Sequence, residues 1–115
     1  MIINCGKEVI FLNYDMGLEE TVIKKICGIF ENNDKVARAA VFGSRAKGNY
    51  RKYSDIDIAL WGDLDLYDAQ HIADELEELP LIYKFDVAAY DKIKSAELKE
   101  HIDRVGIIIY KKEKS

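Results

Sequence analysis

Two aspartates separated by a single residue, Asp55 and Asp57, are the part of this sequence best suited to chemistry. They begin an alternating segment in which Ile56 and Ile58 occupy the intervening positions, as in a β-strand. Residues two apart on a strand project from the same face, with Cα atoms roughly 6 to 7 Å apart, so both carboxylates can reach one cation. Oxygen-only ligands of this kind suit magnesium or manganese, which also bind substrate phosphates.

A third acid, Asp86, lies in another strand-like segment and can join the same face if its strand is adjacent. Three converging carboxylates raise one another's pKa and destabilise the fold unless a cation neutralises them. A two-metal centre resolves this repulsion, with one ion activating the attacking oxygen and the other stabilising the leaving group. We therefore interpret Asp55 and Asp57 as metal ligands and catalytic residues. Asp86 is interpreted as a ligand of the acceptor-side ion and a candidate base.

Gly43 and Ser44 follow a short apolar run and are candidate phosphate-binding residues. A glycine at a strand end allows a sharp turn, and the amides that follow it can point at an anion. Arg45 and Lys47 lie in the same charged segment, which we expect to be a loop as far as Ser54. These two side chains either contact a nucleotide phosphate or belong to an ordinary exposed loop, and the sequence favours neither alternative.

The histidines and cysteines form no metal-ligand pattern. His71 and His101 have no second His or Cys at ligand spacing, so we interpret both as surface residues without a role. Cys5 and Cys27 are predicted to be free thiols, which is typical of a reducing cytoplasm. Residues 1–12 have no apolar run long enough for a signal peptide or a membrane span, so no membrane association is expected.

Hydrophobic periodicity predicts the elements that must position these residues. Residues 1–16 could form a hairpin or an added edge strand, and no domain boundary is indicated within 1–115. The resulting order of helices and strands predicts one α/β or α+β domain with a single sheet. Helices are predicted over 18–30, 66–79 and 95–106, and strands over 39–42, 55–61, 84–90 and 107–110.

Two function classes are disfavoured by the sequence. The formal net charge of −4 argues against stable direct nucleic-acid binding, which usually requires a basic surface. The sequence also lacks the GxxxxGK[ST] loop of ordinary nucleoside triphosphate hydrolases.

The segment GSRAKGNYRKYSDIDIAL resembles the signature of the minimal nucleotidyltransferase group within the DNA polymerase beta superfamily. It combines Gly43-Ser44, ten further residues and the Asp55-x-Asp57 pair, and the resemblance extends over roughly residues 18–110. It implies a polymerase beta palm-like fold, with helices packed on a mixed sheet. It also implies two magnesium ions, a nucleoside triphosphate donor, and Asp86 in KFDVAAY as the third acid.

The resemblance further implies a partner and an acceptor. Single-domain members of this group often work beside a separately encoded all-helical protein of the HEPN class. In some pairs the transferase is the antitoxin and adenylylates a tyrosine of its toxin partner. By this resemblance the chain is expected to transfer AMP from ATP to an acceptor hydroxyl on such a partner, in the cytoplasm. The alternative is a non-catalytic interaction protein that neutralises a helical partner by binding alone.

Overall fold

The computed structural model describes residues 2–5, 8–11 and 16–112, with side chains described over 16–112. Within these residues there are six strands and four helices, and a 3-10 turn at Tyr90–Lys92 follows the fifth strand. The elements are β1 Ile2–Cys5, β2 Glu8–Phe11, α1 Glu20–Glu31, β3 Val36–Phe42, α2 Gly43–Lys47, β4 Ile56–Gly62, α3 Leu66–Glu77, β5 Phe85–Ala89, α4 Ala96–Val105 and β6 Ile107–Lys111.

Four of these strands form one mixed sheet in the order β5-β4-β3-β6. β3 pairs antiparallel with both β4 and β6, whereas β4 and β5 are parallel. The predicted α/β class with a single mixed sheet carrying helices is therefore confirmed. β1 and β2 form a separate antiparallel hairpin, which was one of the two alternatives predicted for the first sixteen residues.

The sheet separates two hydrophobic clusters of unequal size. On one face, Ile56, Ile58 and Leu60 of β4 are buried in the larger cluster, together with residues of α1 and α3. On the other face, Ala59 packs in a small cluster with Phe42 and with Ile102 of α4. The alternation along β4 thus sends its isoleucines and leucine to one face, and Asp57, Ala59 and Trp61 to the other.

Local capping explains where the later helices begin. Asp65 and Asp68 form a reciprocal capping box at the start of α3. The Ser95 hydroxyl accepts a hydrogen bond from the Leu98 amide at the start of α4 and caps that helix. The inner side of α4 lies against the sheet face that carries Asp57, because Ile102 packs there with Phe42 and Ala59.

Three expectations differ from the structure. β3 begins at Val36, earlier than predicted, because Arg38 is covered by stacking on Trp61 and does not end the strand. The expected loop after Phe42 begins instead with the short helix α2. Cys27 is disulfide-bonded, which contradicts the prediction of two free thiols.

Among the described residues, no helix has the length and apolar character needed to span a bilayer.

Candidate active site

The site is built where β4 and β5 run side by side. Their parallel pairing places Asp57 directly beside Asp86, and Asp55 lies one residue before β4 begins. The condition that the sequence analysis set for Asp86, a strand adjacent to that of Asp57, is therefore met. Asp57 is half-buried, whereas Asp55 and Asp86 are exposed to solvent.

This arrangement disfavours the ionised form of the Asp57 carboxyl group. Burial, followed by the nearby charges of Asp86 and Asp55, raises its pKa from 3.8 to about 6. Desolvation and like charges both disfavour the ionised form, so their effects add. Near neutral pH, this group of acids gains from either a bound proton or a bound cation.

The residues fit a hard divalent cation, although they do not form a complete cage. In the part of the chain with described side chains, no three His, Cys, Asp or Glu residues are gathered closely enough to hold an ion. Magnesium commonly takes only one or two protein carboxylates and completes its coordination with water and substrate phosphates. The adjacent Asp57 and Asp86 carboxylates, with Asp55 nearby, provide that kind of partial site.

Gly43 lies in contact with the Asp57 carboxylate at the end of β3. Its φ of +72° is in the left-handed region, and a Cβ built on it would collide with Oδ2 of Asp57. Glycine is therefore required both for the turn and for the space that the carboxylate occupies. Ser44 follows, half-buried, in the first turn of α2. The structure thus brings the predicted Gly43 turn and the predicted aspartates together.

Arg45 does not fulfil its sequence-based role as a nucleotide contact. Its side chain is only 1% exposed, and its guanidinium donates hydrogen bonds to the carbonyl oxygens of Met16, at 2.9 Å, and Ser54, at 2.9 Å. The same group lies over the rings of Tyr50 and Tyr83. The sequence analysis left two alternatives for Arg45, a phosphate contact or a position in an ordinary exposed loop. The structure corrects both, because Arg45 is buried and its guanidinium is bonded to backbone carbonyl groups.

Lys47 occupies the last turn of α2 and is exposed. It borders a cavity of about 380 Å³ between α2 and the end of α4, which Arg104 and Gly106 also line. Its phosphate contact stays a prediction.

His101 is a site neighbour that the sequence analysis assigned to the surface. From α4, its Nε2 accepts a hydrogen bond from the Gly43 N–H at 3.1 Å, and its ring meets the edge of Phe42. The side chain is half-buried, which corrects the interpretation of a surface residue without a contact role. Its position on the same helix face as Leu98 and Ile102 was the available signal, because that face covers the sheet. His71, by contrast, is exposed as expected.

Comparison with known proteins gives a family and a consistent set of relatives. The family model for Polymerase beta, Nucleotidyltransferase matches residues 24–115. A probable protein adenylyltransferase MntA from Haemophilus influenzae is 33% identical over 76 residues. That match covers 64% of this chain and 66% of the relative, so the chain spans just under two thirds of the relative's length.

Solved structures show the same fold. A toxin–antitoxin crystal structure with AMP-PNP contains a chain that matches with a TM-score of 0.65 and 26% identity, over 84% of this chain and 76% of that chain. A complex of a tri-AMPylated Shewanella oneidensis HEPN toxin with its MNT antitoxin matches with a TM-score of 0.63 and 22% identity. That match covers 82% of this chain and 73% of the other.

Proposed function

Because the chain belongs to the polymerase beta nucleotidyltransferase family, we propose that it transfers AMP from ATP, or another nucleoside monophosphate, to an acceptor hydroxyl. The observation that carries the proposal is the Asp57–Asp86 pair beside the Gly43 turn. The raised pKa of Asp57, about 6, supports the proposal, because crowded carboxylates near neutral pH gain from a bound cation.

In the proposed reaction, the acceptor oxygen forms a bond to the α-phosphorus of the donor while the bond to the pyrophosphate oxygen breaks. Asp55, Asp57 and Asp86 would hold two magnesium ions, with manganese as a substitute. When bound, these ions would supply charge stabilisation for the phosphates. Asp86, which is exposed beside Asp57, would accept the proton of the attacking hydroxyl. Ser44 and Lys47 would contact the triphosphate.

The proposed acceptor belongs to a separately encoded all-helical protein of the HEPN type, which this chain would silence as an antitoxin. This part rests on the relatives, which include an adenylyltransferase and chains of HEPN toxin–antitoxin complexes. A nucleoside triphosphate donor is consistent with the proposed location in the cytoplasm. Stable binding to nucleic acid is not part of the proposal, since the chain has a net charge of −4.

A second candidate function is neutralisation of the partner by binding alone. It is favoured by one observation, that a matched solved structure contains an antitoxin chain in complex with its toxin. In that case the aspartates would be dispensable, and protection of cells from the partner would not depend on them.

The test uses the full chain, the helical protein encoded beside it, α-labelled ATP and magnesium. We expect label on the partner with the wild-type chain and none with Asp57→Asn. Asp63→Asn is the matched control, because Asp63 is exposed beyond the opposite end of β4. Absence of both transfer and ATP binding in the wild type would refute catalysis. Full protection of cells by the Asp55→Asn/Asp57→Asn double variant would favour binding alone.

A further inference from the structure

His101 contacts two residues that lie next to Asp57, namely Gly43 and Phe42. Its Nε2 accepts the Gly43 N–H at 3.1 Å, and its ring packs edge-on against Phe42, with 6.1 Å between the ring centroids. Because Nε2 accepts this bond, the imidazole is neutral in this arrangement and carries its proton on Nδ1. One side chain of α4 is thus joined to the end of β3 by a polar contact and by a ring contact.

Both contacted residues are neighbours of Asp57. Phe42 is directly opposite Asp57 in the antiparallel pairing of β3 with β4. Gly43 lies so close to Oδ2 of Asp57 that it has no room for a Cβ. A small movement of the Gly43 backbone would therefore move the boundary of the space in which the carboxylate sits.

We propose that His101 is a positioning residue, which fixes the Gly43 backbone and through it the Asp57 carboxylate in the geometry for nucleotidyl transfer. This inference rests on the proposed function. Residues that orient a metal ligand without binding the metal themselves typically contribute 10- to 100-fold in metal affinity or activity. A residue that only fills space would contribute through packing, whatever its hydrogen-bonding capacity.

Two substitutions separate the hydrogen bond from the packing. His101→Gln keeps an acceptor oxygen near the position of Nε2, whereas His101→Leu keeps comparable bulk against Phe42 but cannot accept a hydrogen bond. His71→Leu is the matched control, since His71 is also on a helix but is exposed and pairs with Glu75. All three variants are compared with the wild type for kcat, for KM of ATP, and for Mn²⁺ affinity by calorimetry.

We expect His101→Leu to lower kcat about 10-fold or more and to weaken Mn²⁺ binding, with KM for ATP little changed. His101→Gln should recover most of both losses, and His71→Leu should match the wild type. Equal kcat and Mn²⁺ affinity in the Leu and Gln variants would overturn the inference, because packing alone would then explain the residue.

The outcome is distinguishable from failure of the proposed function. If the wild-type chain neither transfers AMP nor binds Mn²⁺, the function fails regardless of His101. If His101→Leu does not fold, exchange of the Gly43 amide hydrogen in His101→Gln decides the question. If the Gly43 amide of His101→Gln is protected from exchange as in the wild type and kcat is retained, the inference is supported. If that protection from exchange is lost while kcat is retained, the inference is contradicted.

Discussion

Asp57 carries the clearest physical signature in the molecule, because burial and two neighbouring acids raise its pKa to about 6. A group whose pKa is raised in the folded state favours folding while it is protonated. That contribution is complete below pH 3.8 and is lost as the pH rises through about 6. At neutral pH without a cation, the ionised Asp57 therefore weakens the fold.

We expect Asp57→Asn to raise the free energy of unfolding of the metal-free chain, relative to the wild type, more at pH 8 than at pH 4. A rise in pKa from 3.8 to about 6 corresponds to about 3 kcal/mol in a fully buried site, and partial solvent exposure reduces it to about 1 to 2 kcal/mol. Urea unfolding at both pH values measures the difference. Asp63→Asn, at an exposed position, is the control and should show no such increase. A constant difference across this pH range would contradict the raised pKa.

Gly43→Ala tests the close approach of backbone and carboxylate. The new Cβ would meet Oδ2 of Asp57 at a residue whose φ is +72°, so we expect the carboxylate to be displaced. Transfer should fall at least about 100-fold, because misplacement by about 1 Å is enough for such a loss. Gly48→Ala is the control, since that glycine also has a positive φ but has open space around it. Similar activity of the two variants would argue against the contact.

At the scale of elements, Arg45 ties together three parts of the chain that approach the site. Its guanidinium joins α2 to the segment before α1 through Met16 and to the segment before β4 through Ser54. A planar fork with several donors can serve these carbonyls at the same time, whereas a lysine ammonium cannot. The segment before β4, which contains Asp55, is thus held in place by a buried side chain.

We expect Arg45→Lys to destabilise the chain by about 2 to 4 kcal/mol, because buried carbonyl groups lose their donors. The thermal unfolding midpoint measures this cost. Lys47→Arg, at an exposed position of the same helix, is the comparison and should be nearly neutral for stability. If Arg45→Lys changed only KM for ATP and left stability intact, the phosphate contact predicted from sequence would be reinstated.

Alternation and motif spacing were enough to predict β4, the Gly43 turn and the strand that carries Asp86, because these depend on local sequence. The sequence left open whether that strand lies beside β4, because strand pairing is a tertiary property. The roles of Arg45 and His101 were not predictable in this way. Arg45 is buried by rings and carbonyls distant in sequence, including Tyr83. His101 reaches Gly43 only because α4 crosses the sheet at that point. Both depend on tertiary packing that no local pattern records.

At the scale of the whole molecule, the two faces of the sheet are unequally supported. α1 and α3 share the larger hydrophobic cluster, whereas α4 is held mainly by the small cluster around Phe42, Ala59 and Ile102. Less buried apolar surface provides less free energy against local opening. The helix that carries His101 is therefore the less firmly attached one.

We expect amide hydrogens of α4 to exchange with solvent faster than those of α1, in the metal-free chain. Hydrogen exchange followed by mass spectrometry measures both helices in one experiment. Ile102→Ala should accelerate exchange in α4 selectively, since its side chain is 2% exposed and central to the small cluster. Uniform exchange of the two helices would mean that they open only with global unfolding.

The position of β5 at the margin of the sheet has a further consequence for what the chain can modify. Within the described residues, β5 pairs with β4 alone, so Asp86 stands at the lateral boundary of the sheet. A reactive group attached to a large folded body can approach from that open side without entering a tunnel. Under the proposed function, a macromolecular acceptor would therefore reach this edge as readily as a metabolite.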